Sequence, residues 1–258
     1  MHLTVLTWNL KGSKGIDVEA VAGHIRSAGA DVVLLQEVQW NQARALARTL
    51  HPRSHHWHFK HWPLNTWPEG MAVFGMTCEV ASRARALSSR WRLWSWRRRI
   101  IVTAYVPRPS EPLRPLMLFN LHLSPHSAEA LRRAEAVAVL RKVTGYPGPV
   151  GVAGDLNESP DGALHGAMEA AGLHDAWLVR PDATDDPYPG YTNWRGWIPG
   201  TTKPPNRRID YVYVSDGTEV TSASVPRPGD EGFEDFTRLS DHLPFTAELD
   251  VPETSLQG

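Results

Sequence analysis

The stretch Val150-Gly151-Val152-Ala153-Gly154-Asp155-Leu156-Asn157 joins a short apolar run to a carboxylate and a carboxamide two residues apart. Side chains two apart along a strand point to the same face, so Asp155 and Asn157 are predicted to lie together at a strand end. Binding and catalytic residues concentrate where a buried strand opens into a loop. The pair alone also fits an Asx turn, so its meaning depends on the rest of the chain.

Other short apolar runs resemble Val150–Ala153 in their β-branched content and in the Gly, Pro or Asp residues between them, and we predict them to be strands. They are Leu3–Leu10, Val32–Gln36, Met71–Phe74, Ile100–Val106, Leu116–Leu123, Ile209–Val214, Val220–Val225 and Phe245–Val251.

Helical patterns alternate with these runs in the first two thirds of the chain. They are a helix capped by Asp17, Trp40–Leu50, a helix from Ser127 to Thr144 with Ala134, Val137, Ala138 and Leu140 facing inward, and Ala163–Ala171. Many strands with few helices predict two packed sheets with helices outside. Because no linker or repeat interrupts the pattern, we expect one domain over residues 1–258.

The bulk properties exclude several classes of protein. The net charge is −1, which argues against a protein that attracts nucleic acid through an overall positive charge. No apolar run approaches the ~20 residues of a membrane span. The N-terminus has no signal-peptide pattern, and Cys78 is the single cysteine, so no intramolecular disulfide is possible. These features predict a cytoplasmic protein without a transmembrane segment.

One acid-free stretch is strongly basic. It contains Arg83, Arg85, Arg90, Arg92, Arg97, Arg98 and Arg99, interleaved with Trp91, Trp94 and Trp96. Arginines with aromatics suit a polyanion that carries stackable bases. A strand with arginines on its wet face and tryptophans packed beneath fits equally well.

Polar residues of catalytic types adjoin six of the apolar runs. The motifs are Thr7-Trp8-Asn9, Gln36-Glu37, Asn120-Leu121-His122, Asp155-Leu156-Asn157, Arg208-Ile209-Asp210-Tyr211 and Ser240-Asp241-His242. We interpret the first five as following apolar runs, whereas the sixth precedes the last predicted strand. Carboxylate and carboxamide ligands without thiolates suit Mg²⁺, Mn²⁺ or Ca²⁺ better than structural zinc.

In their order and separations these motifs resemble the endonuclease/exonuclease/phosphatase superfamily, which includes DNase I-like and exonuclease III-like enzymes, over nearly the whole chain. The resemblance implies an α/β fold, a four-layer sandwich of two mixed β-sheets flanked by helices. It also implies a metal-dependent phosphoesterase with a phosphoester substrate such as DNA, RNA or a nucleotide, and Mg²⁺ or Mn²⁺ as cofactor.

Carried across residue by residue, the resemblance implies a metal site and a catalytic group. Glu37 is the expected main metal ligand, with Asn9 and Asp241 near the ion. The expected catalytic residues are Asp155, which activates the attacking water, Asn157, which holds it, His122 and His242, which contact the phosphate, and Asp210, which pairs with His242.

The chain departs from the family pattern at three places. Lys11 and Gly12 follow the first motif where an acid is frequent, which implies a simpler metal shell. Ala136 stands three residues beyond Arg133 where a glutamine is usual. The sequence identifies no acid that pairs with His122.

Two loops are predicted to set the substrate. Residues 51–67 hold five histidines and three tryptophans, and we interpret them as a surface loop, with a second metal site as the alternative. Residues 189–208 border the site in the family, and aromatics and cations there suit base stacking and phosphate binding. The predicted substrate-binding residues are Tyr191, Trp194, Arg195, Arg207 and Arg208. Aromatics that fold the loop onto the body are the alternative.

Three functions fit these features. The first is a metal-dependent nuclease or nucleotide phosphodiesterase, favoured by the basic and aromatic stretches. The second is a phosphatase or phosphodiesterase of a small molecule or phospholipid, which the near-zero net charge leaves open. The third is a non-catalytic binding module, which we rank last because every motif position is chemically competent.

Overall fold

The computed structural model describes residues 1–61, 68–92 and 95–253. Its strands are β1 (His2–Asn9), β2 (Val32–Gln39), β3 (Ser54–His61), β4 (Glu69–Gly75), β5 (Ala81–Arg92), β6 (Ser95–Val106), β7 (Leu116–His122), β8 (Val150–Asp155), β9 (Leu173–Asp175), β10 (Asp210–Ser215), β11 (Glu219–Ser224) and β12 (Phe245–Asp250). Its helices are α1 (Val18–Ser27), α2 (Trp40–Leu50), α3 (Glu129–Val143), α4 (Ala163–Ala170), α5 (Ala176–Val179) and α6 (Phe233–Leu239).

Within the described ranges, these strands form two mixed six-stranded sheets, in the orders β11-β12-β1-β2-β4-β3 and β5-β6-β7-β8-β10-β9. Each sheet has one parallel central pair, β1 with β2 and β7 with β8, joined through α1 and α3 respectively. Apolar side chains of both sheets form the main core, and a second cluster lies beneath α3 and α4. The predicted α/β sandwich with helices outside is confirmed.

A polar contact ties the two sheets together across the core. The Nε2 of Gln36 donates to Asn120 Oδ1 at 2.8 Å and to Thr7 Oγ1 at 2.9 Å. All three residues are fully buried, and buried polar groups that satisfy one another specify one packing arrangement. Gln36 and Asn120 therefore hold the sheets in register beneath the residues that follow them.

Two predictions about local structure were wrong. The loop predicted over 51–67 contains the edge strand β3, whose histidines hide the strand pattern because they are not apolar. His56 and His58 hydrogen-bond to Val80 and to Ser82 at 2.8 and 2.7 Å, so they have structural partners. Trp62 and Trp67 lie outside the described residues.

The predicted inner face of the third helix was also wrong. Val137 is exposed, whereas Arg132, Glu135, Ala136 and Val139 are buried. Glu135 accepts from Ser124, and Arg132 donates to Pro125 O at 3.1 Å. The buried polar residues hold the loop that follows β7, so the burial of α3 does not follow apolar periodicity.

None of the helices in the described part of the chain has the length and apolar character that a membrane crossing needs.

Candidate active site

The parallel strand pairs bring the predicted motifs to one edge of the sandwich. His122 lies opposite Asp155 at the carboxyl ends of β7 and β8, and Asp210 pairs with Asp155 from the first position of β10. Because antiparallel neighbours begin where these strands end, Asp210 and the Asp241-His242 motif reach the same edge from the start of a strand. The interpretation that the Asp210 motif follows an apolar run was wrong in this respect.

Asp155 stands at the centre of the site and is 2% exposed. Its Oδ2 accepts from Asn9 Nδ2 at 3.1 Å, and it lies 3.7 Å from His122 Nε2 and 3.9 Å from His242 Nε2. Its Oδ1 accepts the N–H of Asn157 at 2.9 Å. The carboxylate is thus held by amide donors between two imidazoles.

Asp155 and His242 are neighbours in this cluster, and the pKa of each is raised above its ordinary value. Burial, with the carboxylates of Asp210 and Glu37, raises the pKa of Asp155 to about 7, although the charge of His242 opposes the rise. Burial by itself lowers the pKa of His242, but the carboxylates of Asp210, Asp155 and Asp241 outweigh burial and raise it to about 10. His242 Nδ1 lies 2.8 Å from Asp210 Oδ2, which accounts for most of that effect.

Lys60 is the partner of His122. Its Nζ lies 2.9 Å from His122 Nδ1 and 3.1 Å from Glu69 Oε1, and all three side chains are buried. Burial and the charge of Arg99 lower the pKa of Lys60, while Glu69 and Glu37 act to keep it charged. As an ammonium Lys60 is a donor only, so His122 Nδ1 accepts and the proton of the neutral ring resides on Nε2. That Nε2 lies 3.6 Å from Glu37 Oε1 and 3.7 Å from Asp155 Oδ2, so His122 directs a donor into the site.

Glu37 owes its position to an irregularity of β2. The register between β2 and β4 shifts between Leu35 and Val38, and Glu37 has a left-handed φ of 51°. Bulges of this kind re-aim a side chain at the end of a strand, and strained backbone is concentrated at functional sites. Burial and the carboxylate of Glu69 raise the pKa of Glu37, against the pull of Lys60.

A second tight turn presents Asn157. Its φ is 51°, and its Nδ2 donates to Leu123 O at 3.1 Å. Gly154 precedes it with a φ of 126°, and a Cβ there would lie 2.1 Å from Leu121 O, so no larger residue fits. The Asp155 side chain therefore closes an Asx turn on the N–H of Asn157, as one interpretation of the sequence required.

The predicted metal ligands are held by a lysine. Asn9 Oδ1 accepts the Lys11 N–H at 3.0 Å, and Asp241 Oδ2 is ion-paired with Lys11 Nζ. Oxygen donors from Glu37, Asn9 and Asp241 are of the type that Mg²⁺ and Mn²⁺ select. The raised pKa of Glu37 also marks a carboxylate short of positive charge, which a divalent cation would supply. The residues present thus fit the ion.

A closer group of acid and histidine ligand atoms is a poorer candidate. In the described residues, Asp155, Asp210 and His242 have ligand atoms within 4.8 Å of one another. However, His242 Nδ1 and Asp210 Oδ2 already hydrogen-bond to each other at 2.8 Å, and Asp155 Oδ2 accepts from Asn9 Nδ2 at 3.1 Å. We therefore interpret this group as a hydrogen-bonded catalytic cluster.

Three site residues were not predicted from the sequence: Lys60, Glu69 and Arg99. Burial lowers the pKa of Arg99, and the carboxylates of Asp155 and Glu135 act to raise it, which places Arg99 in electrostatic range of the site. Its Nη1 is buried and makes no hydrogen bond to the described residues. A sequence signal existed for two of them: Glu69 is an acid two residues before the apolar run Met71–Phe74, and Arg99 belongs to the acid-free basic stretch.

The loop over 189–208 borders the site, since Asn193 forms a bridge with His242. Trp194 is 4% exposed and its Nε1 donates to Lys203 O at 2.7 Å, whereas Arg208 is buried and ion-paired with Asp175. Both side chains lie inside the body of the protein. The prediction that they contact the substrate was therefore wrong, and their role is structural.

The other predicted residues of this loop remain near the surface. Arg195 is exposed, Arg207 is half-buried, and Tyr191 packs edge-on against Tyr188 with ring centroids 5.9 Å apart. The aromatic that reaches the site is Trp197, whose ring lies 5.3 Å from Lys11 Nζ. Trp197 therefore replaces Trp194 as the loop aromatic next to Lys11, the residue that contacts the predicted metal ligands Asn9 and Asp241.

An α/β sandwich with buried carboxylates and imidazoles gathered at its strand ends is the arrangement that the resemblance of the sequence implied. The chain belongs to the endonuclease/exonuclease/phosphatase family, whose model matches residues 6–242. The members of this family depend on a divalent metal. A comparison with curated proteins gave no match.

Solved structures share the fold at low sequence identity. An endonuclease/exonuclease/phosphatase from Bacteroides vulgatus is 19% identical with a TM-score of 0.76, over 98% of this chain and 100% of that one. The human Nocturnin catalytic domain with bound sulfate is 18% identical with a TM-score of 0.72, over 97% and 95%. A mannosyl-6-phosphatase from Bacteroides thetaiotaomicron is 18% identical with a TM-score of 0.68, over 96% and 99%.

Proposed function

We propose that this protein is a Mg²⁺- or Mn²⁺-dependent phosphodiesterase that hydrolyses nucleic acid or nucleotides by attack of a water activated at Asp155. One observation carries the proposal: the Asp155 carboxylate, whose pKa is raised to about 7, lies within 4 Å of imidazole nitrogens of both His122 and His242. A base with a pKa near the working pH combines a sufficient ionised fraction with a driving force for proton transfer.

Each residue of the cluster has a defined task in this reaction. Asp155 takes the proton of the attacking water, while Asn9 and Asn157 hold the carboxylate in place. His242, charged because Asp210 adjoins it, donates to a phosphoryl oxygen, and His122 donates from its Nε2. A divalent ion held by Glu37 and Asn9, with Asp241 near it, would supply further neutralisation of the phosphoryl group.

Cations around the site favour a nucleic-acid or nucleotide substrate. Arg99, which pairs with Ser88 midway along the β5–β6 hairpin, lies in electrostatic range of Asp155, and Arg83 and Arg85 are exposed nearer the base of the same hairpin. Arg98 lies over the Phe59 ring at 5.5 Å. Exposed arginines of this kind are the groups that a phosphate backbone would contact.

A second candidate is a phosphatase or phosphodiesterase of a small molecule or phospholipid on the same scaffold. The burial of Trp194 and Arg208 favours it, because two of the five predicted contacts to a base or phosphate are unavailable to a ligand. The sandwich it shares with the mannosyl-6-phosphatase is compatible with both candidates.

The two candidates separate in a substrate panel. Purified protein with Mg²⁺ or Mn²⁺ is incubated with plasmid, single-stranded oligonucleotide, nucleotides, inositol phosphates, phospholipid vesicles and bis(p-nitrophenyl) phosphate. We expect EDTA-sensitive cleavage of a nucleic acid or nucleotide and a loss on the order of 10²–10³ in Asp155→Asn. Asp161→Asn is the matched control, since Asp161 is an exposed acid after the same strand.

Other outcomes reject the proposal. Release of phosphate from a monoester, or cleavage of a lipid, with every nucleic acid and nucleotide intact favours the second candidate. Absence of metal-dependent turnover on the whole panel, in a protein that is folded by circular dichroism, leaves a binding module. Equal losses in Asp155→Asn and Asp161→Asn would remove Asp155 from the chemistry.

A further inference from the structure

Lys11 is held rigidly at the edge of the site. It lies two residues beyond the end of β1 and adopts a left-handed φ of 47° and ψ of 45°, and its N–H donates to Asn9 Oδ1 at 3.0 Å. The next residue, Gly12, is packed so closely that a Cβ would lie 2.4 Å from Glu37 O and from Gln42 Oε1. The backbone of Lys11 is therefore tied to the bulge that carries Glu37.

The side chain of Lys11 has two partners that attract a cation. Its Nζ is ion-paired with Asp241 Oδ2, and the ring of Trp197 lies 5.3 Å from the same Nζ. Trp197 is itself fixed, because its Nε1 donates to Thr237 O at 3.0 Å. With side-chain exposures of 28% for Lys11 and 17% for Asp241, the pair is largely withdrawn from solvent, so screening by salt weakens it little.

The charges at this edge leave room for one divalent ion. The negative charge of Asp210 is balanced by His242, and that of Asp241 by Lys11. The charges of Lys60 and Glu69 balance each other. Of the carboxylates at the centre, Glu37 and Asp155 remain, and the Arg99 guanidinium lies in electrostatic range of both. The negative charge left at the site is therefore no more than one Mg²⁺ or Mn²⁺ would neutralise. A second divalent ion at Asp241 would have to displace or adjoin an ammonium.

We propose that Lys11 is an internal cation that takes the place of a second metal ion at Asp241, so that the site binds one divalent ion. This inference rests on the metal dependence in the proposed function. Lys11 sets the metal stoichiometry, and it also supplies a permanent positive charge between the metal ligands and Trp197.

Metal binding to the full chain tests this without an activity assay. Mn²⁺ is titrated into metal-free protein, and the free ion is counted by electron paramagnetic resonance. We expect one Mn²⁺ per chain for the unmodified protein and for Lys11→Arg, and two for Lys11→Asp. Aspartate tolerates the left-handed conformation of this position. Lys11→Met is expected to bind Mn²⁺ about tenfold or more tightly than the unmodified protein, because a nearby like charge is removed.

Lys14→Asp is the matched control, since Lys14 is an exposed lysine of the same loop, and one Mn²⁺ with unchanged affinity is expected. Two Mn²⁺ in the unmodified protein, or one in a folded Lys11→Asp, would overturn the role of Lys11 and leave the proposed function intact. No Mn²⁺ binding by any variant would overturn both the metal dependence and this inference.

Discussion

The Nζ of Lys60 lies 2.9 Å from Nδ1 of His122, so a lysine occupies the position in which an acid was sought. Glu69 is present but bonds to the lysine at 3.1 Å, one step removed from the ring. An ammonium at Nδ1 disfavours a second proton on the imidazole, whereas a carboxylate would favour it. His122 and His242 therefore differ in kind: a neutral donor and a charged donor on either side of Asp155.

Replacement of Lys60 by methionine is expected to remove the contact that fixes the tautomer of His122. Because Nδ1 loses its donor, the ring can place its proton on either nitrogen, and kcat should fall about 10–100-fold, the range for residues that orient a functional histidine. Nitrogen-15 NMR of the histidine side chains reports the tautomer directly. Lys14→Met should leave both unchanged, and an unaltered His122 spectrum in Lys60→Met would contradict the assignment.

Removal of Glu69 tests the buried pair by stability. Glu69→Ala leaves the ammonium of Lys60 buried without its carboxylate, and breaking such a pair costs about 3–5 kcal/mol. Both side chains are buried, at 2% and 7% exposure, so solvent screens the loss little. Urea unfolding gives the measurement. If Lys60→Met is added to Glu69→Ala, part of the stability should return, and further destabilisation would show that the two residues act independently.

The pH dependence of kcat/KM is expected to be bell-shaped. Asp155 accepts a proton only when ionised, so activity rises with pH through a pKa of about 7 at most, since a bound cation lowers it. His242 donates only when charged, so activity falls through a pKa of about 10. In His242→Gln the charge that lowers the pKa of Asp155 is lost, and the acid limb should move to higher pH.

Initial rates at one saturating Mn²⁺ concentration across pH 5 to 11 locate both limbs. The control is His126→Gln, an exposed histidine, which should leave the acid limb in place. An acid limb that moves to lower pH in His242→Gln would mean that His242 is not the charge that Asp155 senses.

The strand ends could be predicted because each motif is a local signal, a polar residue adjoining an apolar run. Asp155, His122 and Asn9 were predicted for this reason. Strand pairing brings His122 beside Asp155 in one sheet, and the packing of the two sheets brings Asn9 of the other sheet to the same edge. Lys60 could not be predicted, since it is 62 residues from His122 in sequence and lies in a histidine-rich strand without apolar periodicity. Its role arises from tertiary contact.

The same limit explains the errors in helix α3 and the 189–208 loop. The burial of Arg132 and Glu135 depends on partners in other segments, so counting apolar residues selected the wrong face of the helix. Tryptophan and arginine in a long loop suggest ligand contacts, but Trp194 and Arg208 fold inward onto Phe233 and Asp175. Composition alone cannot distinguish an inward-facing from an outward-facing tryptophan.

The two tryptophans of this loop are expected to respond differently to truncation. Trp194 packs against Phe233 with ring centroids 6.1 Å apart, so Trp194→Ala should destabilise the fold by about 3–5 kcal/mol. Trp197 is half-buried beside Lys11, and Trp197→Ala should mainly raise KM for a base-bearing substrate, because stacking contributes about 1–3 kcal/mol per base. KM for bis(p-nitrophenyl) phosphate, which has no nucleobase, should rise less. Steady-state kinetics on both substrates, with thermal unfolding of both variants, make the comparison. Equal KM changes on the two substrates would show that Trp197 acts through Lys11 and the metal ligands, and not by stacking on a base.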